Sequence, residues 1–235
     1  MSISLCITNY NRNAYLFKSF EKVYNDDRIS EIIIADDCSD LELYKDIERK
    51  CSNMPKVKLS RNPINLGCFA NKAKAVSLAT NEYVIIFDSD NVLNKEYIDK
   101  VFSERWNPKV ILAPDFAEPV FNYTRFAGQI FNKTNVGAWA YEKGFDCMIN
   151  TMNYFVHRDS FISVYQPNKD IKGADSIYMN YLWLMAGNEI KVVSGMRYYH
   201  RIDHIASEKG SNYITYAKES EPKCAELLQR IASFR

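Results

Sequence analysis

The sequence that decides the fold is Tyr83-Val84-Ile85-Ile86-Phe87-Asp88-Ser89-Asp90, in which a run of apolar residues is followed at once by two carboxylates. A short run that is apolar at every position predicts a strand buried on both faces, as in a sheet covered by helices. Similar runs predict further strands at residues 3–8, 31–35, 57–60 and 110–113, the last ending at Pro114. The chain therefore contains several short strands of the kind found in a parallel sheet.

Segments with apolar residues at helical spacing separate these strands. They predict helices at residues 15–23, 41–51 and 70–79, and another at 176–186 after a less periodic segment. A last helix is expected to begin near Pro222, because proline suits the first position of a helix. This alternation predicts an α/β fold with a mostly parallel central sheet. We expect one domain over residues 1–235, with halves at 1–113 and 114–235.

The composition excludes several classes of protein. Hydrophobic residues make up 47% of the chain and charged residues 25%, with a formal net charge of +1, as in ordinary globular proteins. The apolar runs are far shorter than the roughly 20 residues that a transmembrane helix needs, and no signal-peptide pattern is present. We therefore expect a cytoplasmic protein with no transmembrane segment and with reduced cysteines. The near-neutral charge argues against nucleic acid as the main partner.

Polar side chains follow four of the predicted strands at the point where each strand ends. These segments are Asn9-Tyr10-Asn11-Arg12, Asp36-Asp37, Arg61-Asn62 and Asp88-Ser89-Asp90. In open α/β sheets, ligands bind beyond the carboxyl ends of the strands. The sequence therefore predicts one binding site at that edge of the sheet.

The carboxylates in these segments have two interpretations. Asp88 and Asp90, directly after a buried strand, can hold a divalent cation together with substrate phosphates, or they can form a solvated turn that caps the next helix. Asp36 and Asp37 carry the same ambiguity, since aspartate is a common N-cap. The sequence contains no P-loop, GxGxxG or HExxH motif, which argues against P-loop ATPases, dinucleotide oxidoreductases and zincins.

Four motifs in the first half of the chain are similar to those of a known family. They are Thr8-Asn9-Tyr10-Asn11-Arg12, Ile33-Ile34-Ala35-Asp36-Asp37-Cys38-Ser39-Asp40, Asn65-Leu66-Gly67 and Phe87-Asp88-Ser89-Asp90. Their order and spacing resemble the family 2 glycosyltransferases of the GT-A fold. The second half resembles the family more loosely, through Asn153-Tyr154-Phe155-Val156-His157-Arg158-Asp159, Gly173-Ala174-Asp175 and Tyr198-Tyr199-His200-Arg201.

The resemblance implies a fold and an activity. The fold would be a Rossmann-like, nucleotide-binding α/β/α sandwich, with the donor in the first half and the acceptor and catalytic base in the second. The activity would be transfer of a sugar, with inversion, from a nucleoside diphosphate sugar, UDP-linked by analogy, to a hydroxyl of a glycan or saccharide acceptor.

The resemblance also implies a set of donor-binding residues. Asp37 would accept a hydrogen bond from a uracil-like ring, and Lys72 would contact a phosphate, although a solvated helix lysine is the alternative interpretation. Arg201 would hold the diphosphate. The full set is Thr8, Tyr10, Arg12, Asp37, Asn65, Gly67, Lys72, Asp88, Ser89 and Arg201.

A metal ion is the implied cofactor. Mn²⁺ or Mg²⁺ across the diphosphate would stabilise the charge that grows on the leaving group. The implied ligands are the Asp88 and Asp90 of the DXD motif, one through a bound water, and His200. His204, four residues further on, competes with His200 for this role, and a structural role for His200 also stays open.

Inversion requires a general base on the acceptor side, and the resemblance places it at Asp175. A carboxylate can take the proton of the acceptor hydroxyl late in the reaction. In the family this aspartate ends a Glu-Asp pair, and Ala174 stands here in place of the glutamate. A helix cap is the alternative interpretation of Asp175, and Asp170 is the second candidate for the base.

Two other functions stay open on the sequence alone. A sugar nucleotidyltransferase would have a glycine-rich basic loop that Asn9-Tyr10-Asn11-Arg12 does not provide. A non-catalytic nucleotide-sugar or glycan binding module is conceivable because of Ala174. Trp139 and Tyr141 either stack on sugar rings or pack in the protein, whereas Trp106 is expected to pack in the core.

Overall fold

The computed structural model describes residues 1–171, 173–202 and 213–234, with the side chains of 213–217 excepted. In this part of the chain the strands are β1 (Ile3–Asn9), β2 (Ile29–Asp36), β3 (Val57–Arg61), β4 (Tyr83–Asp88), β5 (Val110–Glu118), β6 (Phe121–Asn122), β7 (Ile130–Phe131), β8 (Phe155–His157) and β9 (Glu189–Tyr199). The helices are α1 (Asn13–Phe20), α2 (Leu41–Cys51), α3 (Cys68–Leu78), α4 (Lys95–Ser103), α5 (Phe145–Ile149), α6 (Arg158–Val164), α7 (Asp175–Met185) and α8 (Tyr213–Ala232).

The strands form one sheet in the order β3-β2-β1-β4-β8-β5-β9-β7, with β6 paired to β5. The longer pairings, β1 with β2 and β4, β2 with β3, and β5 with β9, are parallel. The short strands β6, β7 and β8 pair antiparallel to their neighbours. The mostly parallel α/β sheet expected from the sequence is confirmed.

The central strands are buried on both faces, as their apolar sequences require. Leu5, Cys6 and Ile7 are consecutive residues of β1 and are fully buried, and because successive side chains point to opposite faces of a strand, both faces must be covered. Helix α3 packs against β1 and β2, and α4 packs against β9. This packing fixes the position of the carboxyl ends of the strands.

The strand predicted to end at Pro114 continues to Glu118. Pro114 pairs with Val193 of β9, and the register shifts immediately after it. At this irregularity Asp115 accepts a hydrogen bond of 2.7 Å from the backbone N–H of Gly195. Proline is tolerated in a strand next to such a bulge, which is why the predicted stop was wrong.

One other expectation also needs correction. The last helix begins at Tyr213 rather than near Pro222, and Pro222 lies inside it, on an exposed position. The less periodic segment of the second half supplies strand β8, which lies between β4 and β5. In the described part of the chain, no helix is both long enough and apolar enough to cross a membrane.

Candidate active site at the carboxyl ends of the strands

The polar segments after β1, β2 and β4 meet at one edge of the sheet. Thr8 of β1 is the register partner of Asp88 of β4, and Asn9 is the partner of Asp36 of β2. Because these strands are parallel, the loops that follow them start at the same edge. The structure therefore brings together the motifs that the sequence analysis placed there.

Asp36 fixes the loops after β1 and β2. Its carboxylate is fully buried and accepts hydrogen bonds of 2.9 Å from the Asn9 side chain and 2.9 Å from the backbone N–H of Ser39. Helix α2 begins after Asp40, whose side chain makes no capping hydrogen bond. Asp36 is therefore a structural residue of these loops and is not the cap of α2.

Asp37 organises the loop between β3 and α3. One carboxylate oxygen accepts hydrogen bonds from Asn62 at 3.0 Å and from the backbone N–H of Leu66 at 2.8 Å, and the other accepts from the N–H of Gly67 at 2.9 Å. Gly67 has a positive φ of 86°, which glycine adopts readily. Its N–H also donates a hydrogen bond of 3.0 Å to Asn65 Oδ1. Asp37, Asn65 and Gly67 thus form one hydrogen-bonded loop.

Arg12 and Asp90 form an ion pair across the site. Arg12 follows β1, Asp90 follows β4, and the guanidinium Nη1 contacts Asp90 Oδ2. Arg201 Nε donates to the backbone carbonyl oxygen of Asp90 at 3.2 Å, while the Arg201 guanidinium lies 4.6 Å from the ring centre of Tyr15. Two arginines therefore contact Asp90, one at its carboxylate and one at its backbone carbonyl, and guanidinium groups are suited to binding an anionic ligand.

Lys72 lies between Asp88 and Asp175. Its ammonium Nζ is 3.1 Å from Asp88 Oδ1 and 2.9 Å from Asp175 Oδ2, and the residue is only 5% exposed. The interpretation of Lys72 as a solvated helix lysine is therefore wrong. A sequence signal exists, since Lys72 falls within the apolar stripe that Phe69, Ala73 and Val76 form on α3.

The charges of Lys72, Asp88 and Asp175 shift the pKa values of Lys72 and Asp88. Burial alone would lower the pKa of Lys72, but the charges of Asp175 and Asp88 outweigh burial and raise that pKa well above its ordinary value. Burial would likewise raise the pKa of Asp88, but the Lys72 charge and hydrogen bond, with help from Asn153, hold the pKa of Asp88 below its ordinary value. The lysine is therefore cationic and Asp88 is ionised at neutral pH.

Asn153, for which the sequence analysis gave no role, orients Asp88. Its Oδ1 accepts a hydrogen bond of 2.9 Å from the backbone N–H of Asp88, and its Nδ2 donates one of 3.0 Å to Asp88 Oδ2. The fully buried Tyr97 donates in turn to the Asn153 carbonyl oxygen at 3.0 Å. The motif that begins at Asn153 marks the residue but does not reveal this role, because its partners come from β4 and α4.

Asp175 is the first residue of α7 and is 6% exposed. The N-cap residue is Ala174, which makes no side-chain capping bond, and the Asp175 carboxylate is turned toward Lys72. The structure therefore does not support the helix-cap interpretation. Asp170, the second candidate base, lies exposed on a turn over Lys169–Ile171.

His200 follows β9 near the same edge. Its backbone N–H donates to the Glu118 carbonyl oxygen at 2.6 Å, and its ring lies edge-on to Phe121 with centres 4.9 Å apart. Its charge contributes to the lowered pKa of Asp88. His204, the competing candidate ligand, lies outside the described residues.

Among the aromatic candidates, Trp139 packs and Tyr141 does not. Trp139 contacts Phe126 and Phe131 edge-on, whereas Tyr141 is 80% exposed. Trp106 packs against Phe155 as expected. Of the remaining predicted donor residues, Tyr10 is 49% exposed and Ser89 is 2% exposed, while Thr8 is half-buried.

Asp88 and Asp90 are better suited to a metal ion that binds together with a diphosphate than to an ion that protein side chains hold alone. Within the described ranges, no three His, Cys, Asp or Glu side chains form a group that could hold a metal ion by themselves. Asp88 and Asp90 nevertheless lie two residues apart after β4. One or two carboxylates with substrate phosphates are a common ligand set for Mg²⁺, so the two aspartates suit an ion shared with a diphosphate.

The fold and the site together define an α/β protein with cations and carboxylates at the carboxyl edge of a mostly parallel sheet. Residues 4–156, more than half of the chain, match glycosyl transferase family 2. The chain therefore belongs to glycosyl transferase family 2. The family, the GT-A fold and the enzyme class expected from the sequence are confirmed.

One relative and two solved structures illustrate the similarity. Abequosyltransferase RfbV of Salmonella typhimurium is 38% identical over 101 residues, which are 41% of this chain and 30% of RfbV. The chain thus spans less than a third of the length of that relative. S. aureus TarS 1-349 in complex with UDP-GlcNAc has a TM-score of 0.68 at 19% identity, covering 98% of this chain and 71% of TarS 1-349. The same TarS segment in complex with UDP has a TM-score of 0.67 at 17% identity and covers 98% and 70%.

Proposed function

We propose that the chain transfers a sugar, with inversion, from a UDP-linked donor to a hydroxyl of a glycan or saccharide acceptor. The observation that carries the proposal is the convergence of Asp175, from the second half of the chain, on the strand-end carboxylate Asp88 through one shared ammonium group. The two TarS structures that hold UDP-GlcNAc and UDP support the choice of a uridine nucleotide.

Each residue of the site has a separate role in the proposed transfer. Asp175 takes the proton of the acceptor hydroxyl as its oxygen bonds to the anomeric carbon. The bond between that carbon and the diphosphate oxygen breaks, and the nucleoside diphosphate leaves with both bonding electrons. Arg12, which contacts the Asp90 carboxylate, and Arg201, which contacts the Asp90 carbonyl oxygen, stabilise the negative charge that grows on the diphosphate. The loop of Asp37, Asn65 and Gly67 holds the base, and Thr8 and Tyr10 line the base and ribose pocket.

The proposal includes a requirement for Mn²⁺ or Mg²⁺. Such an ion, bound by Asp90 and the diphosphate, would act as a Lewis acid toward the leaving group. The Asp90 carboxylate, which pairs with Arg12, would hold the ion beside this arginine, because a carboxylate has two oxygens that can accept. Asp88 and His200 belong to the same proposed set. The cytoplasmic location expected from the sequence stays a prediction.

Nucleotide-dependent thermal stabilisation tests the donor class. The purified chain is heated with UDP, GDP, CDP and TDP, each with and without Mn²⁺. A ligand at about 100 times its dissociation constant adds roughly 2.7 kcal/mol to the free energy of unfolding. We expect a shift with UDP that requires Mn²⁺, whereas a shift with a different base would move the donor class to that nucleotide. No shift with any of them would contradict the proposal.

Product formation tests the transfer itself. UDP release is measured from UDP-GlcNAc, UDP-glucose and UDP-galactose, with a panel of p-nitrophenyl glycosides as acceptors. The masses of the products are determined by mass spectrometry. We expect acceptor-dependent UDP release and a product heavier by one sugar. Binding of UDP with no product from any combination would instead favour a binding module.

A further inference from the structure

The ammonium group of Lys72 is the point where the two halves of the site meet. Lys72 lies on α3, Asp88 ends β4, and Asp175 begins α7, and both carboxylates contact the same Nζ atom. We propose that Lys72 is a positioning residue for Asp175 and is not a phosphate-binding residue. It holds Asp175 Oδ2, so that Oδ1 is left to accept the proton of the acceptor hydroxyl. This inference rests on the function proposed above and deepens it.

The burial of the three side chains supports this assignment. The side chain of Lys72 is 6% exposed and that of Asp175 is 8% exposed, whereas that of Asp88 is 32% exposed. Asp88 is therefore the member of the trio that faces the open edge of the sheet, where the donor would lie. Lys72 is the least exposed member of the trio.

The geometry of the ammonium group points the same way. It has three N–H donors, and Asp175 and Asp88 occupy the directions of two of them, at 2.9 Å and 3.1 Å. Both contacts have ordinary hydrogen-bond lengths. Lys72 thus fixes where Asp175 lies relative to Asp88, the carboxylate that ends β4.

Other groups near Asp175 cannot replace the lysine. Tyr154 and Cys224 lie close enough for the charge of Asp175 to affect them, and burial keeps the pKa of each above its ordinary value. Both are therefore neutral at physiological pH. Across the described residues, Lys72 is the cationic side chain that forms an ion pair with Asp175. A buried carboxylate without such a partner is unfavourable, so the orientation of Asp175 depends on this contact.

A double-mutant cycle tests the inference. The wild type, Lys72→Met, Asp175→Asn and the double variant are compared for two quantities: the dissociation constant of UDP with Mn²⁺, by calorimetry, and kcat for sugar transfer, by single-turnover product formation. If Lys72 acts through Asp175, its removal lowers kcat about 100-fold, as expected for loss of a general base. The double variant is then no slower than Asp175→Asn alone within about threefold. Because Lys72 also contacts Asp88, its removal can change the dissociation constant of UDP as well, so kcat is compared at saturating donor.

Two further variants keep the test decisive. Lys74→Met changes an exposed lysine of the same helix and should leave kcat and UDP binding unchanged. Lys72→Gln, whose amide still donates one hydrogen bond, is measured in parallel and judged by the same criteria in case Lys72→Met does not fold. Preserved UDP binding reports that a variant is folded.

Two results would overturn the inference. One is a Lys72 substitution that raises the dissociation constant of UDP tenfold or more and leaves kcat at saturating donor unchanged, which is the result expected for a phosphate contact. The other is a double variant in which the two losses of kcat multiply. Failure of the proposed function itself would be seen separately, as a wild-type chain that makes no product.

Discussion

The side chain of Asn153 binds Asp88 twice, with Oδ1 accepting from the Asp88 backbone N–H at 2.9 Å and Nδ2 donating to Asp88 Oδ2 at 3.0 Å. Asn153 lies two residues before β8, the short strand that pairs with β4. The second half of the chain therefore orients a carboxylate of the first half, and the donor side of the site depends on both halves.

Replacing Asn153 by alanine should weaken donor binding. Loss of the amide leaves the backbone N–H of Asp88 and one carboxylate oxygen without these bonds, at a cost of about 1–3 kcal/mol in the free energy of unfolding. We expect the dissociation constant of UDP to rise about tenfold, which corresponds to about 1.4 kcal/mol. Calorimetric titration with UDP measures this. Asn168→Ala, at a half-buried position on another loop, is the control, and equal UDP affinity in both variants would contradict the role of Asn153.

Asp90→Asn should remove the metal dependence of nucleotide binding. The substitution keeps the size of the side chain and removes the charge that pairs with Arg12 and that the proposal assigns to the metal ion. We expect the additional thermal stabilisation that Mn²⁺ gives to the UDP complex to disappear, while some stabilisation by UDP alone is retained. Asp99→Asn, an exposed aspartate on α4, serves as the control. An undiminished Mn²⁺ effect in Asp90→Asn would exclude Asp90 as a ligand.

Gly67→Ala should impair both stability and nucleotide binding. Gly67 has φ of 86° and ψ of 158°, and nothing lies within 4 Å of where its Cβ would be, so the cost is backbone strain of about 1–3 kcal/mol. Gly128, with φ of 82° and equally open space, provides a matched control away from the Asp37 loop. We expect both alanine variants to lose similar stability in thermal unfolding. Only Gly67→Ala should weaken UDP binding, and equal effects on UDP would contradict the role of this loop.

The lowered pKa of Glu31 should make the stability of the fold depend on pH under acidic conditions. It is 4% exposed and, although burial would raise its pKa, hydrogen bonds from Lys58, Ser4 and Thr80 lower that pKa from 4.5 to about 2. Because the folded-state pKa is depressed, this contribution to stability is present above about pH 4.5 and is lost as the pH falls toward 2. Thermal unfolding of Glu31→Gln across this range should show a weaker pH dependence than wild type. Glu42→Gln, at an exposed position, should behave as wild type, and an unchanged profile in Glu31→Gln would contradict the assignment.

The sequence predicted the first half of the fold well because its signals are local. The strands β1 to β4 are short runs rich in apolar residues that end in polar segments, and the observed strands begin or end within two residues of the predicted bounds. The second half was harder. Strand β8 has three residues, too few for a pattern, and its place between β4 and β5 depends on contacts that are distant in sequence.

The sequence could predict which residues gather in the candidate site but not the contacts between them. The resemblance to the family gave Asp88, Asp90 and Asp175, and the structure places all three near the same edge of the sheet. The resemblance could not reveal the ion pair between Lys72 and Asp175, because a contact between residues so distant in sequence has no local signal. The apolar stripe around Lys72 marks it as buried, but the partners of a buried charge appear only in three dimensions.

The central claim is that Asp175 takes the proton of the acceptor hydroxyl, and one comparison of two variants tests it most directly. Transfer of sugar from the UDP-linked donor is measured for wild type, Asp175→Asn and Asp170→Asn at saturating donor. We predict that Asp175→Asn lowers kcat by about 100-fold or more with UDP binding unchanged, and that Asp170→Asn is as active as wild type. Full activity of Asp175→Asn, or loss of activity in Asp170→Asn alone, would contradict the account.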